Sequence, residues 1–163
     1  GPTSDSPPGQ VAPANPPPPA PPAASPPSLE EVRRILAGKP DINSLRALRE
    51  RLASPDASLD ARFLVERQLA QLGDVAAMTT LGHMYDPDTW SRKTSPLPAA
   101  NPLEAGRWYR SAADKGDAEA QYRYGRLLRQ GRLDEDNGPE KAVSWLQKAA
   151  AQGHDAARKE LGQ

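Results

Sequence analysis

The sequence predicts an all-α chain: a disordered proline-rich tether followed by a solenoid of stacked helical hairpins. Three observations carry that prediction. Prolines crowd the first 28 residues, capped apolar stripes at helical spacing follow them, and one line of sequence is written twice. That line reads AGRWYRSAADKG from Ala105 and AVSWLQKAAAQG from Ala142, with Trp108 and Trp145 at equivalent places.

The tether comes first. Residues 1–28 hold 12 of the chain's 19 prolines, and Asp5 is their only charged side chain. Proline fixes φ and lacks the amide proton, so such a tract favours solvated polyproline II over helix or sheet. Extended at about 3.1 Å per residue, it reaches ~85 Å, which makes it a semi-rigid spacer. The run NPPPPAPPA also has the spacing of a ligand for a proline-binding module, although no flanking Arg fixes its orientation.

Composition bounds the rest. With 163 residues, 37% hydrophobic and 26% charged, the chain has room for one modest core. Its 21 Lys and Arg balance 21 Asp and Glu, so no excess field steers it toward nucleic acid or an anionic bilayer. The absence of cysteine removes disulfides, thiolate metal sites and a Cys nucleophile together. No apolar run approaches the ~20 residues of a membrane span, so no membrane insertion by this chain is expected. Gly1-Pro2 has the look of a protease-cleavage scar, which makes the chain an expected piece of a longer protein that could carry its own anchor.

Three helices are expected over 29–72 as an N-terminal helical cap. Ser28 and Glu31 form a capping box ahead of the apolar face of Leu29, Val32 and Leu36. Asn43 is the expected cap of a second helix with Leu45, Leu48 and Leu52 on one face and Pro55 as its stop. Ser58 opens a third, carrying Leu59, Phe63, Leu69 and Leu72 up to Gly73.

From 73 to 163 the pattern is periodic, with two full units and one partial. Gly73, Gly116 and Gly153 each open a unit, and Gly82, Gly125 and Gly162 follow nine residues later. Ala77, Ala120 and Ala157 hold the same place in all three. In the second helix of the unit, Ala105, Trp108, Tyr109, Ala112 and Ala113 match Ala142, Trp145, Leu146, Ala149 and Ala150. That spacing is one buried helical stripe, which a hairpin can cover only by stacking on its neighbour. Small Ala and Gly permit close approach, and Trp fills the gap between hairpins.

These residues, with Leu81, Gly82 and Tyr85 in one copy and Tyr124, Gly125 and Leu128 in the next, resemble the Sel-one-like repeat family, relatives of the tetratricopeptide repeat. The resemblance covers about residues 73–163. It implies a right-handed α-α superhelix whose first helices line a concave face used mainly to dock other proteins. The chain departs from the pattern in three places. The third unit ends after one helix, the segment before Gly73 fits only loosely, and the first unit is six residues longer than the second, its extra length lying in the Asp86–Asn101 loop with Trp90.

Catalytic motifs are missing: there is no phosphate loop, paired zinc ligand set or serine elbow. The acidic loop LDEDNGPE imitates a calcium loop, but alignment on Gly138 puts Leu133 and Ser144 where carboxylates belong. Asp136–Pro139 reads instead as a turn and helix start. His83 would need a partner such as Asp86 to act as a base, and is read as a contact residue; His154, after a helix-ending Gly, is read as a cap or surface group. No catalytic residue, cofactor or metal is expected.

The groove-facing positions implied by the tetratricopeptide resemblance are Ala76, Thr79, His83 and Asp86, then Glu119, Tyr122, Arg126 and Arg129, then Lys159. Trp90, outside the periodic pattern, either folds back on its hairpin or anchors a partner. One aromatic among several cations suits an acidic or proline-containing segment. The expected function is therefore a non-catalytic scaffold that docks a protein partner. A long Pro/Ala tether before a small interaction domain resembles the extracytoplasmic arm of bacterial inner-membrane proteins, envelope and cell-pole organisers among them. That implies a periplasmic location ahead of a cytoplasmic one. The rival readings are a module for peptidoglycan or cell-wall glycan, with Trp90 and Tyr122 stacking on sugars, and a carboxylate hydrolase, for which the sequence selects no pair.

Overall fold

A computed structural model describes residues 25–163, together with Gly1, Gly9 and residues 14–19. Most of the expected tether lies outside the described residues. Where the chain becomes described again, Pro27 is already buried beside Ser54, Asp56 and Ser58. Among the described residues there are eight helices and no strand: α1 (Leu29–Ala37), α2 (Ile42–Arg51), α3 (Leu59–Gln71), α4 (Val75–Tyr85), α5 (Pro102–Asp114), α6 (Ala118–Arg129), α7 (Gly138–Ala151) and α8 (Asp155–Glu160).

Helix starts follow side-chain chemistry. Ser28 Oγ accepts the Glu31 N–H at 3.2 Å and Ser58 Oγ accepts the Ala61 N–H at 3.1 Å, as the sequence predicts. The second start differs from expectation. Asp41, not Asn43, caps α2 by accepting the Ser44 N–H at 2.8 Å. An ionised carboxylate suits the positive helix end better than an amide, and the earlier start brings Ile42 against the core. Asn101 caps α5, and Asn137, in the left-handed region at φ 58°, opens α7 within the expected Asp136–Pro139 turn.

The joint between units recurs three times at atomic detail. Gly73, Gly116 and Gly153 have φ of 98°, 94° and 89°, a conformation that glycine reaches without a side-chain clash. Behind each, the next residue's amide reaches back to the carbonyl five residues earlier: Asp74 to Leu69, Asp117 to Ala112, His154 to Ala149. This is the Schellman ending of a helix. The same residue then caps the following helix, since Asp74, Asp117 and His154 accept the N–H groups of Ala77, Ala120 and Ala157. One residue thus closes one helix and opens the next. The loosely fitting segment before Gly73 obeys the same rule, so α3 occupies the place that α5 and α7 hold in later units.

Packing follows from the small residues. α4 pairs with α5 and α6 with α7, while α3 packs on α4, α5 on α6 and α7 on α8. α1 and α2 both lean on α3. A methyl at Gly82 would lie 2.2 Å from the ring of Tyr109, which is 0% exposed; one at Gly125 would meet Leu146 at 3.1 Å. Trp145 sets its edge on Tyr124, with ring centroids 5.6 Å apart, and lies under Arg110 of the preceding hairpin at 5.2 Å. The first helices also touch across the row, α4 against α6, which makes them the inner, concave side.

Candidate functional site

The concave side is tied by polar bonds from one unit to the next. At its centre is Glu119 at the start of α6. Its Oε1 receives Arg123 Nε at 2.7 Å and lies 3.3 Å from His83 Nε2 on α4. Its Oε2 lies 2.6 Å from His154 Nε2 at the head of α8. One carboxylate therefore joins three successive first helices. The hydrogen bond with His83, working against burial and joined by those with His154 and Arg123, holds the Glu119 carboxyl well below the usual carboxylate range.

The geometry also fixes the form of His154. Because Nδ1 accepts the Ala157 N–H, the ring proton belongs on Nε2, from which it donates to Glu119. That tautomer presents no Nε2 lone pair to a cation. Among the described residues, no group of three or more His, Asp and Glu could hold a metal ion. The acidic loop is occupied by protein donors too: Glu135 takes hydrogen bonds from Tyr124 Oη at 3.1 Å and Lys141 Nζ at 2.9 Å.

Several sequence-predicted site residues turn out to support the face rather than present it. Asp86 is 1% exposed and accepts the Tyr109 hydroxyl at 2.8 Å, so it is neither a docking group nor a partner for His83. Burial, reinforced by the Asp86 charge, raises the Tyr109 phenol far above its ordinary range. Thr79, 8% exposed, donates to Asp117 at 2.9 Å. Tyr122, 9% exposed, is covered by His154, ring on ring at 4.5 Å. Being buried, Thr79, Asp86 and Tyr122 have little surface for a partner.

Others do reach the surface. His83 and Glu119 are half-buried, and Arg129 and Lys159 are exposed. Arg126 bridges Asp88 at 3.0 Å and Glu160 at 3.0 Å, and these hydrogen-bonded carboxylates raise its guanidinium pKa. Trp90 folds back on its hairpin, half-buried, with its indole N–H donated to the Leu97 carbonyl at 3.0 Å.

Sequence reasoning missed a groove of about 740 Å³ at the N-terminal end of this face. Its floor is apolar, with Leu52, Val65 and Met84 beneath and Ala53 and Pro55 at the edge. Its walls come from α2, α3, α4, α6 and the Asp86–Asn101 loop. No periodic signal marks it, because half its residues lie outside the repeats.

The fold defines a class: a helical-repeat protein whose first helices line a concave face. Residues 75–117 and 118–154 each match the Sel1 repeat. The chain thus carries two Sel1 repeats in succession. It is also similar to the crystal structure of a Sel1 repeat protein from Oxalobacter formigenes, at 26% identity and a TM-score of 0.62, covering 82% of this chain and 96% of that one. No curated protein matches. Sel1 repeats typically serve as protein–protein interaction scaffolds and are generally non-catalytic. Among the described residues no helix is long and apolar enough to cross a membrane.

Proposed function

We propose that this chain is a non-catalytic docking scaffold that holds a protein partner on its concave face and is carried by its proline-rich tether in the bacterial cell envelope. The observation that carries this reading is the Glu119 junction. Tying α4, α6 and α8 together keeps the face in one shape, so a partner meets a preformed surface and loses less freedom on binding. The tether supports the envelope reading by its resemblance to extracytoplasmic arms, and it would give the docking face reach and effective concentration.

The test is a pull-down from bacterial envelope extract with residues 1–163 as bait, beside an Arg129→Ala/Lys159→Glu variant that alters two exposed side chains and gives up the 3.6 Å bridge from Arg129 to Glu160. One protein retained by the wild type supports docking, and its loss from the variant places it on the C-terminal part of the face. Sedimentation with protein-free cell wall, and no retained protein, would overturn the scaffold reading in favour of glycan binding. The structure offers little to that rival, since Tyr122 is covered and Trp90 is folded back.

A further inference from the structure

We infer that the groove between α2, α3, α4 and the Asp86–Asn101 loop is the seat of an acidic partner segment bearing a bulky apolar side chain. The inference rests on the scaffold reading and adds a place and a chemistry to it. Four cationic side chains line the groove, Arg49, Arg62, Lys93 and Arg123, against one carboxylate, Glu66. Arg49 is already committed, gripping Glu66 through two bonds of 2.8 and 2.9 Å and reaching Asp74 at 3.1 Å. Arg123 is held by Glu119.

Arg62 and Lys93 are different. Arg62 donates only to main-chain carbonyls, those of Leu52 and Ser54, and Lys93 is exposed on the loop. Among the described residues neither has a carboxylate partner, so two positive charges stand over an apolar floor without compensation. A carboxylate-bearing segment would supply it, and a Leu or Phe on that segment would bury its own apolar surface against exposed Ala53 and Pro55 and the packed layer of Leu52, Val65 and Met84 behind them. A volume of this size accommodates a few side chains, in the range of ordinary ligand clefts of about 300–1,000 Å³. The apolar floor favours peptide over nucleic acid, whose backbone offers charge without an aliphatic anchor. The chain's own proline tract is a poor occupant, because Asp5 is its one charged side chain and Ala14–Pro19 are exposed.

Fluorescence anisotropy on the full chain tests this with four probes: a labelled peptide of Glu and Asp around a central Leu-Phe pair, the same peptide with Lys for each acid, the same with Ser for the apolar pair, and a single-stranded oligonucleotide. The first is expected to bind at least about tenfold more tightly than the others, and more weakly as salt rises. Lys93→Glu with Ala53→Glu, both exposed positions, should weaken it about tenfold or more while leaving the thermal midpoint nearly unchanged. Equal binding of acidic and basic peptides, tighter binding of the oligonucleotide, or an unaffected double variant would each overturn the assignment. A partner recovered from envelope extract that still binds the double variant would overturn the groove and leave the scaffold reading intact.

Discussion

The two full repeats solve the same packing problem with different chemistry. Where the first places Tyr109, the second has Leu146; where the first ends its leading helix on Asp86, the second has Arg129. The phenol oxygen of Tyr109 is inside, so a buried carboxylate is placed to receive it, and the longer loop closes over the pair. Leu146 makes no such demand, and Arg129 lies at the surface, where it bridges Glu160 at 3.6 Å. The first joint also has no room at Gly82, whereas at Gly125 an added methyl is merely tight, 3.1 Å from Leu146 and 3.2 Å from the Ala142 carbonyl oxygen. A single substitution in the stripe therefore carries a second one at the helix end and a loop to cover both.

The largest effect expected from this contrast is steric. Gly82→Ala drives a methyl into the Tyr109 ring and should cost about 3 kcal/mol or more, while Gly125→Ala, which gains helix propensity and needs Leu146 to move slightly, should stay within about 1 kcal/mol of wild type. Thermal or urea unfolding of the two variants side by side reads the difference. Equal losses would mean that the joints are equally tight.

Next is the polar pair. Tyr109→Phe leaves Oδ2 of buried Asp86 without its donor, while Oδ1 keeps the Asp88 N–H, and should cost about 1–3 kcal/mol. A double-mutant cycle with Asp86→Ala should show coupling of at least about 1 kcal/mol. Simple additivity would mean that the pair is ornamental.

Acid comes third. Glu119 and Asp74 have carboxyl groups held below their unfolded values. For Glu119 the first cause is the His83 hydrogen bond; for Asp74 burial opposes the shift and is outweighed by the Ala77 amide and the guanidiniums of Arg46 and Arg49. A depressed carboxylate contributes stability in full above its unfolded pKa, and that contribution is lost as pH falls through the folded one. The midpoint of unfolding should therefore decline below about pH 4.3, the usual Glu value. Glu119→Gln should be less stable at neutral pH and decline less steeply in acid. A parallel decline in both proteins would remove Glu119 from the account.

The smallest effect separates the third joint from the first two. His154→Ala removes the cap of α8 and a donor to Glu119, for a loss of about 1 kcal/mol and faster hydrogen exchange at the Ala157 amide. His154→Asp restores the cap used by the other units but sets a second carboxylate near Glu119. It should recover the protection at Ala157 without recovering the midpoint.

These contrasts also explain what the sequence disclosed. The repeat register was legible because Gly at the joints and Ala on the stripes answer local demands of φ and contact distance, which leave marks at fixed spacing. The docking face was legible only as a set of positions. Whether Thr79 or Tyr122 reaches solvent depends on what the next unit lays over it, Asp117 in one case and His154 in the other. Asp86 looked like a groove residue until Tyr109, 23 positions later, claimed it. The groove was hidden for the same reason, since Arg62 and Lys93 come to line one groove only after the N-terminal helices and the loop close on α4.

The joint at Gly73, Gly116 and Gly153 has a consequence for how such chains change length. Each unit brings the acceptor that its own first helix needs and ends on the glycine that its successor needs. An in-frame duplication of residues 117–153 would leave no amide stranded at either seam. Lengthening the array is thereby a matter of copying a gene segment, with no compensating change elsewhere in the protein.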